Sequence, residues 1–262
     1  LLEGIFNAKA GHPGGSLSIA ELMAYLYNVE MKVDATNPKW EDRDRFVLSK
    51  GHAAPALYAT LALKGFFPTE DMKTLRKADS YLQGHPSMKC VPGVDMSTGS
   101  LGQGISAAVG MALAYININK IISGATILGD GEIGEGQVWE AAMYAAAKKL
   151  DNLVVVVDNN NLQIDGTVEE VNSPYPIPEK FMAFGFNTIE IDGNNLDEIE
   201  RAFEAAKACK GKPTAIVAKT VKGKGVSYME NQVNWHGAAP NEELYNQAVA
   251  ELTAKLNELE GV

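Results

Sequence analysis

The sequence is poor in cysteine and in positive charge. Its 262 residues include only two cysteines, Cys90 and Cys209, which lie far apart in the chain. This argues against a disulfide framework and favours a reducing compartment, so we expect a cytoplasmic protein. The 33 acidic residues outnumber the 23 lysines and arginines, which gives a net charge of −10. Such a charge argues against bulk electrostatic binding to nucleic acid or to an anionic membrane, although local groups could still hold a small anion.

Long apolar segments are also missing. No apolar run reaches the ~18–20 residues that a membrane span needs, and the opening stretch, LLEGIFNAKAGHPGG, has no signal-peptide pattern. Hydrophobic residues nevertheless make up 46% of the chain, and this length suffices for one large domain or two small ones. We therefore expect a globular protein with a sizeable core and with neither a membrane nor a nucleic acid as partner.

Short apolar runs alternate with helical patterns along the chain. The apolar runs predict strands at 45–49, 126–128, 153–158, 187–191 and 214–220. Helices are expected at 18–29, at 54–65, shortly after Thr69, at 103–122, at 135–150, after Pro178, at 196–209 and at 241–258. The strand runs are continuously apolar, which is typical of a parallel sheet covered on both faces. We predict an α/β fold with a doubly wound, mostly parallel sheet and helices on both faces.

Three segments carry more specific predictions. Ser18-Ile19-Ala20-Glu21 matches a capping box, which predicts that Ser18 opens a helix. Residues 103–122 carry small and apolar side chains on nearly every face, which indicates a buried helix. Residues 79–101 are rich in Gly, Pro and Ser, and predict a loop. A loop of that length in a compact domain is more often functional than idle.

A glycine turn follows the predicted strand 126–128. The stretch Gly129-Asp-Gly-Glu-Ile-Gly134 formally matches the G-x-G-x-x-G pattern of dinucleotide-binding enzymes, and Asp158 ends the next strand. An NAD-binding enzyme is therefore one alternative, but an aspartate lying directly on a pyrophosphate would repel it. Asp130 becomes useful if a divalent cation lies between its carboxylate and a diphosphate. Mg²⁺ prefers about six oxygens, which carboxylates, phosphates and water can supply.

A run of asparagines supplies neutral ligands for such a cation. Asn159, Asn160 and Asn161 follow the predicted strand 153–158, and Asn160 comes thirty residues after Asp130 (160 − 130). If the two strands are neighbours, both turns lie at the edge of the sheet where open α/β folds bind their ligands. A plain turn is the alternative for the asparagines alone, but the combination with the glycine turn favours a metal site.

Each of the four histidines has a glycine as a direct neighbour. They are His12, His52, His85 and His236. Imidazole suits proton transfer near neutral pH, and in its protonated form it binds phosphate oxygens. A surface role would explain any one of them, and metal ligation is a further alternative, although the spacings lack an H-x-x-x-H type of cluster. Four such contexts out of four favour a shared site.

In these motifs the chain resembles the transketolase family of thiamine diphosphate (ThDP) enzymes. The motifs in order are AGHPGGSLS, LSKGHAAPALYA, QGHPS, TGSLGQGISAAVGMA, GDGEIGEGQVWEAAMYAA, DNNNLQIDG and NWHGAAP. The sister family that makes deoxyxylulose phosphate shares the metal motif, but DRDRFVLSKGHAAPALYA favours transketolase. The resemblance implies transfer of a two-carbon ketol unit from a ketose phosphate to an aldose phosphate in the pentose phosphate pathway.

The resemblance also implies roles for individual residues. Asp130, the Asn160 side chain and the Leu162 carbonyl would hold Mg²⁺, or Ca²⁺ or Mn²⁺ in its place. The residues implied to bind the cofactor are His52, Gly99, Ser100, Leu101, Gly131, Asn160, Ile164, Lys222 and His236. Those implied to assist catalysis at the sugar are His12, His85 and His236.

Two of these assignments have a qualification, and so does the resemblance of two further glutamates. Many relatives have proline where Ser100 stands, although a backbone role would survive the change. A solvated loop lysine is the alternative for Lys222. Glu135 and Glu140 resemble glutamates at the family's subunit interface, and ordinary acids in the first turn of a helix are the alternative.

The family's pyrimidine-binding domain has no counterpart in these 262 residues. In the family, a glutamate from that domain bonds the cofactor's pyrimidine and drives ylid formation. We therefore expect residues 1–262 to be one diphosphate-binding domain, the N-terminal subunit of a split transketolase. It would act with a C-terminal subunit that carries the pyrimidine domain, with two copies of each chain. The alternatives are an artificial truncation and a noncatalytic cofactor-binding subunit.

Overall fold

The computed structural model describes residues 1–117 and 124–261. Within them the main sheet has five parallel strands: β1 (Arg45–Leu48), β2 (Gly124–Gly129), β3 (Leu153–Asn159), β6 (Asn187–Asp192) and β7 (Thr214–Lys219). An antiparallel hairpin of β4 (Leu162–Gln163) and β5 (Gly166–Thr167) follows β3. The order across the main sheet is β1-β2-β3-β7-β6. All five predicted strands and the parallel sheet are confirmed.

Helices connect and flank these strands. In chain order they are α1 (Leu2–Ala8), α2 (Pro13–Leu17), α3 (Ala20–Tyr25), α4 (Ala54–Leu63), α5 (Gln103–Asn117), α6 (Gly136–Ala147), α7 (Val168–Asn172), α8 (Ile177–Ala183), α9 (Leu196–Ala208) and α10 (Glu242–Glu260). A π-helical turn follows α3 at Leu26–Glu30, and 3-10 turns occur at Gly51–Ala53, Thr69–Thr74, Glu132–Gly134 and Val233–Trp235. Residues 79–101 contain neither helix nor strand, as predicted.

Hydrophobic cores lie on both faces of the sheet. In β7, Ile216 belongs to a core that contains side chains of α3, α4 and α9, whereas Ala215 and Val217 belong to a core with α5, α6 and α8. The same alternation occurs in β1, between Phe46 and Val47. Burial on both faces explains why the strand sequences are continuously apolar. The predicted doubly wound α/β fold is confirmed.

The start of helix α3 differs from the prediction. This helix begins at Ala20, and the residue before it makes no side-chain cap. Ser18 instead donates from Oγ to the Gly15 carbonyl (3.1 Å) and to the Asp158 carboxylate (2.7 Å). The capping-box prediction is wrong because the folded chain offers this hydroxyl a buried charged acceptor, and a hydrogen bond to an ionised group is roughly twice as strong as a neutral one.

Helix α5 is buried on one side only. Its residues Ile105 and Ala112 are buried, whereas Gly110, Ala114 and Ile116 are exposed. The prediction of a helix buried on nearly every face is therefore wrong for the described part, and residues 118–122 of the predicted helix lie outside the described residues. The neighbouring helix α6 exposes the large apolar side chains Met143 and Tyr144. In the described parts of the chain, every helix is too short or too polar to span a bilayer.

Candidate active site

The carboxyl ends of four strands meet at a cavity of about 240 Å³. Its wall includes residues that follow β1 (Lys50, His52), β2 (Asp130, Gly131), β3 (Asn160, Leu162) and β7 (Lys222). The other wall residues are Gly15, Leu101, Gly129, Glu132, Gln163, Ile164 and His236. Parallel strands explain this convergence, because all of their carboxyl ends lie at the same edge of the sheet.

The glycine turn and the asparagine run are joined directly. Strands β2 and β3 are neighbours, which is the condition under which the sequence placed both turns at one edge of the sheet. The Asp130 carboxylate accepts hydrogen bonds from the N–H of Gly131 (2.8 Å) and from the N–H of Asn161 (2.5 Å). Asn161 has a φ of 63°, in the left-handed region that asparagine tolerates. Asn160 accepts from the N–H of Leu162 at 3.1 Å, so Asp130 and Asn160 are held at one side of the cavity.

The environment of Asp130 suits a cation. Burial raises the pKa of Asp130 to about 7, and the nearby Asp158 carboxylate also raises it, whereas hydrogen bonds from Asn161 and Gly131 lower it. A buried carboxylate is costly to ionise without an opposite charge. In the described residues, no group of three or more His, Cys, Asp or Glu side chains could hold a metal by itself. The donors present, one carboxylate with amide and carbonyl oxygens, fit Mg²⁺ if a bound diphosphate completes the shell.

Lys222 lies between the implied metal ligands and the histidines. It is 2% exposed, and its Nζ donates to the Leu162 carbonyl (2.8 Å) and lies 3.1 Å from Nδ1 of His236. Burial and the neighbouring Lys50 lower the pKa of Lys222 to about 8. The alternative of a solvated loop lysine is therefore wrong. An ammonium group placed here can neutralise an anion that enters the cavity.

Three of the four histidines form a cluster. The ring centroids are 5.2 Å apart for His12 and His52, 5.5 Å for His12 and His236, and 5.3 Å for His52 and His236. Burial, followed by nearby positive charge, lowers the pKa of His12 to about 4, that of His236 to about 3 and that of His52 well below its usual value. These imidazoles are therefore neutral at pH 7, and the protonated form considered from the sequence is not their resting state.

His85 lies outside this cluster. It does not line the cavity, and its ring comes within 2.9 Å of the Cβ position that Gly99 lacks. Gly99 has a φ of 144°, which side-chain-bearing residues rarely adopt. Of the implied segment Gly99-Ser100-Leu101, only Leu101 reaches the cavity wall. The structure thus brings His12, His52 and His236 together, with His52 and His236 on the cavity wall and His12 behind them. His85, Gly99 and Ser100 also lie off the wall.

A buried ion pair at the cavity was missed by the sequence analysis. Lys50 Nζ lies 2.5 Å from Asp158 Oδ2, with both side chains at most 1% exposed. Burial alone would raise the pKa of Asp158, but Lys50 and the hydroxyls of Thr220 and Ser18 hold it below its usual value. Asp158 accepts hydrogen bonds from Lys50, Ser18 and Asn160 at one oxygen and from Thr220 at the other. Its carboxylate is also fully buried, so it is not available to bind a ribose. This geometry contradicts the NAD alternative, which needs a free acid there.

Glu132 is the second residue that the sequence analysis missed. It is 2% exposed and accepts hydrogen bonds from Ser49 Oγ (2.5 Å) and from the N–H groups of Gly102 (2.9 Å) and Gly129 (3.0 Å). It therefore ties the end of β1, the segment before α5 and the glycine turn together. Glu135 and Glu140, which the sequence analysis singled out, are exposed. The run of acids after the glycine turn gives no signal of which one is buried.

Comparisons with known proteins point to one family. The family model for "Transketolase, thiamine diphosphate binding domain" matches residues 2–257. The chain is 51% identical over 251 residues to the 6-deoxy-6-sulfo-D-fructose transketolase subunit SqwG of Clostridium sp. (strain MSTE9), covering 96% of this chain and 91% of that protein. It is 44% identical over 260 residues to one of the subunits of the apulose-4-phosphate transketolase of Phocaeicola vulgatus, covering 99% of this chain and 92% of that protein.

Solved structures give the same result. A transketolase from Leishmania mexicana matches with a TM-score of 0.91 at 35% identity, over 95% of this chain and 39% of that one. A transketolase from Campylobacter jejuni matches with a TM-score of 0.89 at 36% identity, over 95% and 40%. The chain thus spans about two fifths of the length of these solved relatives.

Proposed function

Because this chain belongs to the transketolase family and matches that family's ThDP-binding domain, we propose that it binds ThDP with a divalent cation as the N-terminal subunit of a two-subunit transketolase. Residues 1–262 would form one diphosphate-binding domain. With a C-terminal subunit that carries the pyrimidine-binding domain, it would transfer a two-carbon ketol unit from a ketose to an aldose. The observation that carries this proposal is the convergence of Asp130, Asn160 and Leu162 on one cavity.

The site residues implied from the sequence divide into three groups. Asp130, the Asn160 side chain and the Leu162 carbonyl would hold the cation, with Mg²⁺ as the first candidate and Ca²⁺ or Mn²⁺ as substitutes. The Gly131 N–H and the side chains of Lys222, His52 and His236 would bind the diphosphate. Gly99, Ser100, Leu101 and Ile164 would contact the rings of the cofactor. When bound, ThDP supplies the carbon nucleophile and the electron sink.

The histidines would act on the sugar. His12, His85 and His236 would accept and return protons at its hydroxyl groups, and neutral imidazoles can do so near pH 7. The closeness of His12 and His236, whose ring centroids lie 5.5 Å apart, supports a shared role at one substrate. Burial lowers the pKa of both and makes them weak bases in the free chain, so this role requires a bound substrate that raises those pKa values.

We propose two alternative classes of sugar substrate. Our first proposal is the transketolase reaction of the pentose phosphate pathway, which uses phosphorylated sugars. The relative that is 51% identical is named for 6-deoxy-6-sulfo-D-fructose, and this favours a sulfonated ketose as the second candidate. An assay that offers both donors to the assembled enzyme distinguishes the two.

The assembly is proposed to contain two copies of each chain, in the cytoplasm. Two relatives that match over more than nine tenths of their length are named as subunits, which supports a separate partner chain. The exposed apolar residues of α5 and α6 offer a surface for it. Both cysteines are free, in line with a reducing compartment.

A mixing assay tests this function. The chain and its C-terminal partner are purified separately and combined with ThDP, Mg²⁺, a ketose phosphate and an aldose phosphate. Ketol transfer should require both chains and should reach a plateau at equal amounts of the two. Full transfer by this chain alone would contradict the two-subunit proposal. Cofactor binding without transfer by any mixture would favour the noncatalytic alternative.

A further inference from the structure

A buried carboxylate lies on the cavity wall two residues after Asp130. Glu132 lines the cavity, and both of its oxygens are engaged. Oε1 accepts hydrogen bonds from Ser49 Oγ (2.5 Å) and from the N–H of Gly102 (2.9 Å), and Oε2 accepts from the N–H of Gly129 (3.0 Å). A carboxylate can accept at all of these positions, because it carries no proton that would meet a donor.

The charge of Glu132 is costly at this position. Burial raises its pKa, whereas hydrogen bonds from Ser49, Gly102 and Gly129 lower it. A buried negative charge also repels a diphosphate that enters the same cavity. Hydrogen bonds to ionised groups are roughly twice as strong as neutral ones, so the three donors offset part of this cost. A side chain that only filled space would not need the charge, which indicates that the charge serves to hold these donors.

Glu132 connects two segments that would enclose the cofactor. One is Gly99-Ser100-Leu101, here called the ring segment because it is proposed to contact the cofactor rings, and Gly102 directly follows it. The other is the glycine turn, which Gly129 opens and whose Gly131 is proposed to bind the diphosphate. The two oxygens of one carboxylate bind these two segments, so Glu132 fixes the distance between them.

The ring segment needs such an anchor. Residues 79–101 contain neither helix nor strand, so no regular ladder of backbone hydrogen bonds holds this stretch. Gly99 has a φ of 144° and Gly102 a φ of 82°, and glycine loses more conformational freedom on ordering than any other residue. Leu101 reaches the cavity wall one residue before the hydrogen bond to Glu132. That bond is therefore placed to decide how Leu101 meets a ligand.

We propose that Glu132 is a positioning residue that holds the ring segment against the glycine turn and thereby raises the affinity of the site for the rings of ThDP. The inference rests on the proposed function. Glu132 acts through Gly102 and Gly129 and does not bind the cofactor itself, because the chain's own donors occupy both oxygens. Glutamine keeps the shape of the side chain, but in either orientation of its amide one of the two backbone N–H groups loses its acceptor.

The first test is calorimetry of the full chain with Mg²⁺ and either ThDP or inorganic pyrophosphate, which lacks the rings. Glu132→Gln should weaken ThDP binding about tenfold or more and should leave pyrophosphate binding nearly unchanged. Ser49→Ala, which keeps the charge and removes one of the three donors, should show the same pattern at a smaller size. Glu179→Gln, which removes an exposed carboxylate from α8, should bind both ligands as the unaltered chain does.

The outcomes separate this inference from the proposed function. Unchanged ThDP affinity in Glu132→Gln would overturn the role of Glu132. Equal losses of ThDP and pyrophosphate affinity would show a merely structural effect and would overturn it as well. If Glu132→Gln does not fold, the same two comparisons in Ser49→Ala decide the question. Failure of the unaltered chain to bind ThDP with Mg²⁺ would instead contradict the proposed function.

The second test needs no cofactor. Amide hydrogen exchange of the full chain is compared between Glu132→Gln and the unaltered protein. Exchange should become faster at residues 99–102 and should keep its rate in strand β3, because the change frees the ring segment without loosening the sheet. This result would support the anchor even if ThDP did not bind. Equally faster exchange in β3, or an unchanged rate at residues 99–102, would contradict the proposal.

Discussion

At the scale of single residues, the buried histidines tie the site to pH. His12 has a pKa of about 4 in the folded chain against 6.5 in the unfolded one. Between these values the unfolded state binds a proton that the folded state does not, so the free energy of unfolding falls as the pH decreases from about 6.5 to about 4. The groups that act on this imidazole are Arg76, His85, Lys222, Lys50, His52 and His236.

His12→Gln therefore has a defined effect on acid stability. Urea unfolding of this variant, followed from pH 4 to pH 8, should give a flatter dependence on pH than the unaltered chain, and the difference should lie between about pH 4 and 6.5. Asp130 contributes with the opposite sign, because its pKa is raised, so only the difference between the two proteins isolates His12. Parallel curves for the two proteins would contradict a depressed pKa at this position.

The buried pair of Lys50 and Asp158 gives a second prediction at this scale. Lys50→Met leaves the Asp158 carboxylate buried without its cation and should lower the free energy of unfolding by about 3–5 kcal/mol. The matched control is Lys219→Met, which breaks the exposed pair of Lys219 and Glu190 (3.3 Å) and should cost less than about 1 kcal/mol. Urea denaturation of both variants measures the two losses, and equal losses would show that burial does not decide the strength of these pairs.

At the scale of elements, two glycines of helix α5, Gly104 and Gly110, differ in how much space surrounds them. A Cβ at Gly104 would lie 2.6 Å from the Cα of Ser49, because α5 begins directly against the end of β1. A Cβ at Gly110 would meet nothing within 4 Å. Gly104→Ala should therefore destabilise the chain by about 1–3 kcal/mol, whereas Gly110→Ala should leave it unchanged or stabilise it by up to about 1 kcal/mol. Thermal unfolding measures both, and a tolerated Gly104→Ala would show that α5 can move away from β1.

The same elements show which local patterns suffice to predict structure. The strands were predictable because burial on both faces leaves a continuous apolar run in the sequence. The hydrogen bonding of Ser18 could not be predicted, because its acceptor Asp158 lies 140 residues away in the chain. The hairpin of β4 and β5 was missed for another reason: its strands have two residues each, too few to show a period.

At the scale of the whole molecule, the site exists because distant segments end at one edge of the sheet. Asp130 and Asn160 could be predicted as neighbours from the sequence, since their motifs follow consecutive parallel strands. The positions of Lys50 and Glu132 at the site could not be predicted, because they depend on burial and on partners in other segments of the chain. Helix α5, whose sequence indicated burial, exposes Gly110, Ala114 and Ile116 in this chain. This exposed apolar face of α5 favours a surface that a partner chain covers.

Calorimetry of ThDP binding tests most directly the claim that Asp130 and the asparagine turn hold a cation for a diphosphate. The isolated chain should bind ThDP in the presence of Mg²⁺, should lose this binding when EDTA removes the metal, and should not bind NAD. Asp130→Asn should abolish the Mg²⁺-dependent heat, whereas Asp165→Asn, which removes an exposed carboxylate from the β4–β5 turn, should bind as the unaltered chain does. ThDP binding that is equally tight with EDTA, or that survives Asp130→Asn, would contradict the account.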